Sequence, residues 1–427
     1  MLYDYILEKR MPLKKSVNLK DPLFVSKEQH AMQNKTILFE SEDIPVIGNI
    51  WCDRVIIAKE LNTDISNLSA PILRAIETPL QPTLFVSSPY KKTNLSLSDL
   101  PVPKYFSYDG GRYITAGIVS AVYNSKENLS YHRIMLKEKN RAAIRIVERH
   151  LYSMYSSSIN ENKDFPVAIV IGAPLPFMIS ASISFEYERS EIAVANALYK
   201  NAYKEEMEFT KIHGITVPAD CGMILYGKIK KETAEEGPFC DIMMIYDAIR
   251  LQPVLEIEEI YLSNKPFLHS ILPGGLEHKL MMGLPREAGI YRSVSSVVPG
   301  LKSVRLTEGG GGWLHGIISI KKVREGDGKN AIISAFTGHP SMKQVIVVDD
   351  DIDIFNNEEV EWAIATRFQG DKGLVLINNT SGSSLDPSIK LTGGYTSKMG
   401  IDATLPVKEM AIIRDGSAFS PFRKASF

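Results

Sequence analysis

Apolar positions change their period along the chain. In the first hundred residues the pattern is mixed: residues 36–40 and 83–86 read as short strands, and residues 65–77 space their apolar side chains as the stripe of a helix. The Ser- and Pro-rich stretch 87–103 breaks the pattern and reads as a linker. Strands then dominate. The turn Asp109-Gly110-Gly111 predicts a hairpin leading into residues 113–119. Residues 128–136 and 142–146 follow as strands, and residues 167–172 are apolar throughout, as in a strand covered on both faces. His150 starts a short helix, residues 190–199 form a helix opened by Ser-Glu, and residues 223–228 and 242–245 are strands flanking an acidic turn. Strand after strand with few helices predicts a barrel-like β domain. Residues 275–282 predict a connecting helix that ends at Gly283-Leu284-Pro285. Beyond it, strands at 316–322, 344–348 and 374–377 alternate with a helix at 360–367, which predicts a separate α/β domain.

Length and composition narrow the class. A chain of 427 residues exceeds one hydrophobic core and implies two or three domains. The hydrophobic share of 44% and charged share of 23% are those of a soluble globular protein. With 49 basic and 50 acidic residues, net charge −1, there is no electrostatic footprint for nucleic acid. Cys52, Cys221 and Cys240 lack CxxC spacing, so neither a disulfide framework nor a zinc-cysteine site is expected, and a reducing compartment fits. The N-terminal residues carry lysines and arginine without an apolar signal core, and no run of 18 apolar residues could cross a membrane. The expected location is the cytoplasm.

Candidate chemistry concentrates in Glu235-Glu236-Gly237-Pro238-Phe239-Cys240-Asp241. A Gly-Pro turn holds its flanking side chains close, and two acids confined there repel unless a cation lies between them. Arg133 is the candidate cation, making Glu236, Arg133 and Asp241 the candidate catalytic trio. A solvated acidic turn is the plain alternative. Asn128, His150 and Glu191 offer an amide, an imidazole and a carboxylate, a set suited to Mn²⁺ or Mg²⁺. Other motifs fail. Asp349, Asp351 and Asp353 begin like an EF-hand loop, but Ile354 replaces its glycine and Val360 its last glutamate, so the run reads as the end of a buried strand. Gly309–Gly312 lacks the Lys-Ser/Thr of a phosphate loop and reads as a flexible loop. Neither GxSxG nor HExxH occurs.

The ordered motifs Asn128-x4-Arg133, Arg149-His150, Ser190-Glu191, Glu236-Gly237-Pro238-Phe239-x-Asp241, residues 349–354, 362–367 and 397–404 together resemble the UbiD family of decarboxylases. The resemblance implies an α+β/α/β multidomain fold. Its expected parts are an N-terminal α/β region (1–100), a split β-barrel binding prenylated FMN (101–270), a linker helix (271–300) and a C-terminal α/β oligomerisation domain (301–427). It implies decarboxylation of an α,β-unsaturated or aromatic acid through a covalent adduct with the prenylated flavin. Flavin prenyltransferase would be the cofactor supplier and a homo-oligomer the assembly.

Carried over by position, Asn128, His150 and Glu191 would hold the divalent metal that clamps the flavin phosphate, with K⁺ as a further ion. Tyr131, His132, Arg133, Ala143, Ile144, Arg145, Arg149 and His150 would line the cofactor, and Arg133, Glu236 and Asp241 would be catalytic. The chain departs from the family at His132, where an aromatic is frequent, and at Cys240, where glycine is common. It also lacks the usual glutamates after Val217-Pro218-Ala219. Residues 236–250, 271–287 and 313–315 look most like the archaeal branch. That likeness implies trans-anhydromevalonate 5-phosphate as substrate and isopentenyl phosphate as product, with His278, Lys279 and Arg286 as candidate phosphate contacts. An acid without phosphate, a non-catalytic flavin-binding protein and a plain FMN oxidoreductase are the competing readings.

Overall fold

The computed structural model describes the whole chain except residues 19–20, 42, 184–188, 417–418 and 424–427. It divides into two compact units, Met1–Asn62 with Arg74–Met281, and Thr63–Leu73 with Met282–Phe427.

The first unit is built on a nine-stranded sheet whose described pairings are antiparallel. Its order runs Tyr113–Ile114, Ile134–Leu136, Arg141–Ile144, Arg250–Leu262, Met223–Glu236, Phe165–Ile171, Ile118–Tyr123 and Lys126–Tyr131, with Lys91–Thr93 added beside Arg250–Leu262. Val119, Val167, Ile169, Leu225 and Leu255 fill its core. The two longest strands pair from Met223↔Leu262 to Glu236↔Arg250, with register shifts after Tyr226 and Ile229. Such irregularities bend and twist a strand, and this pair ends with Glu236 opposite Arg250. A smaller four-stranded sheet joins Leu13–Ser16, Ile37–Glu40, Val46–Gly48 and Leu268–Ser270.

Several local expectations change in three dimensions. Residues 87–103 are no linker: Lys91–Thr93 joins the large sheet, and Leu97, Leu100 and Val102 are buried in its core. Residues 83–86 contribute only an isolated bridge, Phe85 to Phe209. The expected strand 128–136 is two strands, Lys126–Tyr131 and Ile134–Leu136, and His132-Arg133 sits in the break. Residues 242–245 form a bend closed by Met244 N to Asp241 O (2.8 Å) and Asp241 N to Ile245 O (3.1 Å). The strand pairing falls instead on Phe239–Cys240 with Tyr246–Asp247. Three cysteines are present, all free and buried.

The second unit carries a five-stranded sheet in the order Leu301–Leu306, His315–Ile320, Gln344–Asp349, Tyr395–Asp402, Leu374–Ser381. Helices Asp327–Gly338 and Asn357–Arg367 alternate with its strands. Residues 309–312 are an ordered turn, closed by Gly312 N to Thr307 O (2.8 Å) and Leu314 N to Gly310 O (2.9 Å). The connecting helix does not stop at Pro285 but runs from Leu276 to Ser295. Leu280, Leu284 and Ala288 recur at helical spacing and are buried, so packing of that face outweighs the hydrogen bond the proline cannot make. No helix among the described residues is long and apolar enough to cross a membrane.

Asp349 does end a buried strand, as expected. Burial raises its carboxyl from 3.8 to about 7, against the bonds from Leu405 N (2.8 Å) and Arg367 (3.3 Å). The folded protein then holds a proton that the unfolded chain releases. Stability should fall as pH rises from about 4 to about 7 and level off above. In urea titrations across that range, Asp349→Asn should flatten this dependence; an unchanged slope would place its source elsewhere.

Candidate active site

The break between Lys126–Tyr131 and Ile134–Leu136 turns Arg133 toward the end of the long strand pair. Its Nε and Nη2 donate to the two oxygens of Glu236, each at 2.9 Å, a bidentate fork that fixes the guanidinium plane. Nη1 donates to Asp241 Oδ2 at 3.1 Å. The expected trio therefore assembles, with Arg133 between the two acids. A third acid joins it: Nη2 also donates to Asp247 at 2.9 Å, and Asp247 is shared with Arg250 at 2.6 Å. Burial works against the charge of Arg133, but Glu236 and Asp241 outweigh it and hold the guanidinium above its ordinary range. Arg250 and Arg133 likewise draw Asp247 below the carboxylate range, against the effect of burial.

The surroundings explain why the cluster holds. The guanidinium lies 4.6 Å from the Phe239 ring centre, and Tyr113 Oη donates to Glu236 at 3.2 Å. The Asp109-Gly110-Gly111 turn, expected to close a hairpin, braces the acidic bend instead. Asp109 accepts from Cys240 N (3.0 Å) and Phe106 N (2.9 Å), and Gly110 N donates to Pro238 O (2.8 Å). A Cβ on Gly110 would fall 2.1 Å from the Gly237 carbonyl, so only glycine permits this approach. Asp247, Arg250, Tyr113 and Phe239 were not singled out from sequence. Asp247 joins the cluster through a pairing that only the fold creates, Phe239–Cys240 with Tyr246–Asp247.

His150 and Glu191 come together, and Asn128 is the chain neighbour of Leu129, whose N–H reaches Glu191. Glu191 opens the helix Glu191–Tyr203, capped by Ser190, whose Oγ accepts from Ala193 N at 3.2 Å. Its carboxylate lies 3.9 Å from His150 Nδ1 and accepts from Leu129 N at 3.3 Å. Burial raises Glu191 from 4.5 to about 7, and desolvation with the neighbouring Arg149 lowers His150. Both shifts disfavour the charged forms, so the contact gains little as an ion pair, and the acid lies buried. Such a carboxylate, a neutral imidazole and a buried amide suit a hard divalent cation. Among the described residues, no three His, Cys, Asp or Glu side chains form a metal cage; the amide is what would complete this set.

Of the residues expected to line the cofactor, Ala143 and Ile144 are buried and pair with Met135 and Ile134, and Arg145 N donates to Arg133 O at 3.1 Å. This brings 143–145 alongside the trio. Tyr131 Oη is buried without a hydrogen-bond partner among the described residues, a polar atom suited to a bound ligand. Arg149 precedes the helix His150–Asn160. His278 lies in the first turn of Leu276–Ser295; its Nδ1 accepts from Gly274 N at 3.1 Å, and burial keeps it neutral although Asp241 favours its charge. Lys279 follows it on the helix, and Arg286 belongs to the second unit, its guanidinium 5.2 Å from the Trp313 ring centre.

Comparison with known proteins gives the arrangement a relationship. Residues 81–276 match the 3-octaprenyl-4-hydroxybenzoate carboxy-lyase Rift-related domain, and residues 279–403 the corresponding C-terminal domain. The chain is 39% identical over 411 residues to anhydromevalonate phosphate decarboxylase of Methanocaldococcus jannaschii, covering 92% of this chain and 96% of the other. It is 41% identical to the protein of the same name from Archaeoglobus fulgidus, over 88% of this chain and 86% of that one. Among solved structures, the UbiD-class enzyme HmfF from Pelotomaculum thermopropionicum in complex with FMN superposes with a TM-score of 0.90 at 31% identity, over 100% of this chain and 97% of that one. Two matched domains and near-complete coverage of these relatives lead to one conclusion: the chain belongs to the UbiD family.

Proposed function

We propose that this protein is a prenylated-FMN-dependent carboxy-lyase that converts trans-anhydromevalonate 5-phosphate to isopentenyl phosphate and CO₂. One observation carries the reading: 39% identity over nearly the full length of an archaeal anhydromevalonate phosphate decarboxylase. The acid-arginine-acid cluster supports it by offering a proton donor beside a fixed guanidinium. The flavin would sit in residues 101–270, folded as a split barrel, between an N-terminal α/β region (1–100) and a linker helix (271–300) that leads to a C-terminal oligomerisation domain (301–427). The working form is a cytoplasmic homo-oligomer loaded by a flavin prenyltransferase.

Prenylated FMN, when bound, supplies the sink for the electron pair released with CO₂. The chain supplies the rest. Arg133, locked by Glu236, presents fixed N–H donors to the reacting acid. Asp241 is the proton donor that replaces the lost carboxylate. Three carboxylates share one guanidinium, and Asp241 makes the longest of these contacts, a single one at 3.1 Å, so it is the acid freest to turn toward a substrate. Its side chain is 28% exposed, which gives solvent a route to restore the proton. Asn128, His150 and Glu191 would hold Mn²⁺ or Mg²⁺ against the flavin phosphate, with K⁺ as a further ion, and Tyr131, His132, Ala143–Arg145 and Arg149 would line the flavin. His278 and Lys279, both in the first unit, remain the proposed phosphate contacts; with its Nδ1 accepting from Gly274 N, His278 would donate one hydrogen bond from Nε2.

The test is CO₂ release by cofactor-loaded protein. Turnover of the phosphorylated acid, with little from its dephosphorylated form, is the expected result. Release from hydroxybenzoate- or cinnamate-type acids with none from anhydromevalonate phosphate would move the protein to aromatic substrates, as in the gallate decarboxylase relative at 27% identity.

A further inference from the structure

Asn128, Ser130 and His132 follow one another at a spacing of two, so their side chains share one face where the strand Lys126–Tyr131 ends. They form a chain of contacts. Ser130 Oγ lies 2.9 Å from Asn128 Oδ1 and 2.9 Å from His132 Nε2, and His132 Nδ1 lies 2.8 Å from the Arg145 carbonyl oxygen. Counting protons along this chain decides what each atom does.

A carbonyl oxygen only accepts, so His132 Nδ1 must carry hydrogen and donate to Arg145 O. Burial lowers His132 to about 4, so near neutrality the ring carries one proton, and Nε2 is an acceptor. Ser130 has a single hydrogen, and it must go to Nε2. Ser130 Oγ can then only accept from Asn128, which requires the amide nitrogen to face it. The oxygen and nitrogen of an amide have nearly the same shape, and the hydrogen-bond network decides between them. With the nitrogen on Ser130, Oδ1 is left for a cation. With the opposite assignment, Oδ1 is spent on the serine and the NH₂ group, which repels a cation, is what remains.

We propose that His132 is a positioning residue for the metal site: through Ser130 it turns the Asn128 amide so that its oxygen is free to bind the divalent cation. This rests on the proposed metal role of Asn128. Outer partners that orient a metal ligand typically contribute about 10–100-fold to affinity.

Mn²⁺ titration with FMN present, read by loss of the free Mn²⁺ resonance signal, tests it with three variants. In His132→Phe, Ser130 loses its acceptor and donates to Asn128 Oδ1, so Mn²⁺ affinity should fall about 10–100-fold. Ser130→Ala removes the relay but leaves the amide free to turn its oxygen to the cation, so it should lose clearly less Mn²⁺ affinity than His132→Phe. The double variant should return to the Ser130→Ala level. A purely structural role for His132 would give no such rescue. Equal losses in His132→Phe and the double variant, or no loss in either, would overturn the proposal. So would nitrogen NMR of the metal-free protein finding the proton of His132 on Nε2. If the parent protein binds no Mn²⁺ at all, the metal reading itself fails, a result distinct from both.

Discussion

Asp241→Asn should fold, bind flavin and lose turnover by about 10²–10⁴, the contribution of a positioned general acid. The fold should survive because the amide oxygen can still accept from Ile242 N, now 2.7 Å from Oδ1, and because the bend is closed by backbone bonds. What the amide cannot do is release a proton to the carbon that has lost CO₂. Asp247→Asn is the matched control: it touches the same guanidinium but is also paired with Arg250, and should cost far less. Steady-state CO₂ release, with flavin occupancy measured on the same samples, separates a lost donor from a lost cofactor. Near-normal turnover in Asp241→Asn would assign the proton to another group.

Glu191→Gln should lower Mn²⁺ affinity at least about 100-fold, more than loss of an outer partner would, and flavin occupancy with it. The physical case is the contrast between neutral and charged forms. Burial already raises Glu191 to about 7, so without a cation the site tolerates a neutral side chain, and glutamine should leave the fold intact or steadier. The cation needs the negative charge, and glutamine lacks it. Metal content, flavin absorbance and thermal midpoint on one preparation check all three parts. Full flavin occupancy in the variant would sever the proposed link between metal and cofactor.

The elements of the site were legible to different degrees. The acids of the bend were readable because Gly237-Pro238 forces Glu236 and Asp241 near each other whatever the rest of the fold does. Arg133 was suggested by the ordered motifs, and the structure puts it between them. Asp247 was not readable: nothing local distinguishes it from a solvated acid, and it reaches Arg133 only because Phe239–Cys240 pairs with Tyr246–Asp247. Asp109-Gly110 carried a true turn signal with the wrong use, since what a turn packs against lies far away in sequence.

Periodicity along the chain determined the strand-rich middle, the alternating C-terminal part, the buried end of the strand at Asp349 and the cap at Ser190, all of which depend on neighbours a few residues away. Ladder partners and burial decided the rest. The supposed linker entered the core because Leu97, Leu100 and Val102 had apolar surface to cover. The helix passed Pro285 because its buried face outweighed one missing bond. The break at His132-Arg133 aimed the guanidinium inward, and only the approach of Arg145 gave the imidazole of His132 a defined proton. These are contacts between distant residues, each worth more than the local preference it overrides, and no local pattern encodes which distant residue will arrive.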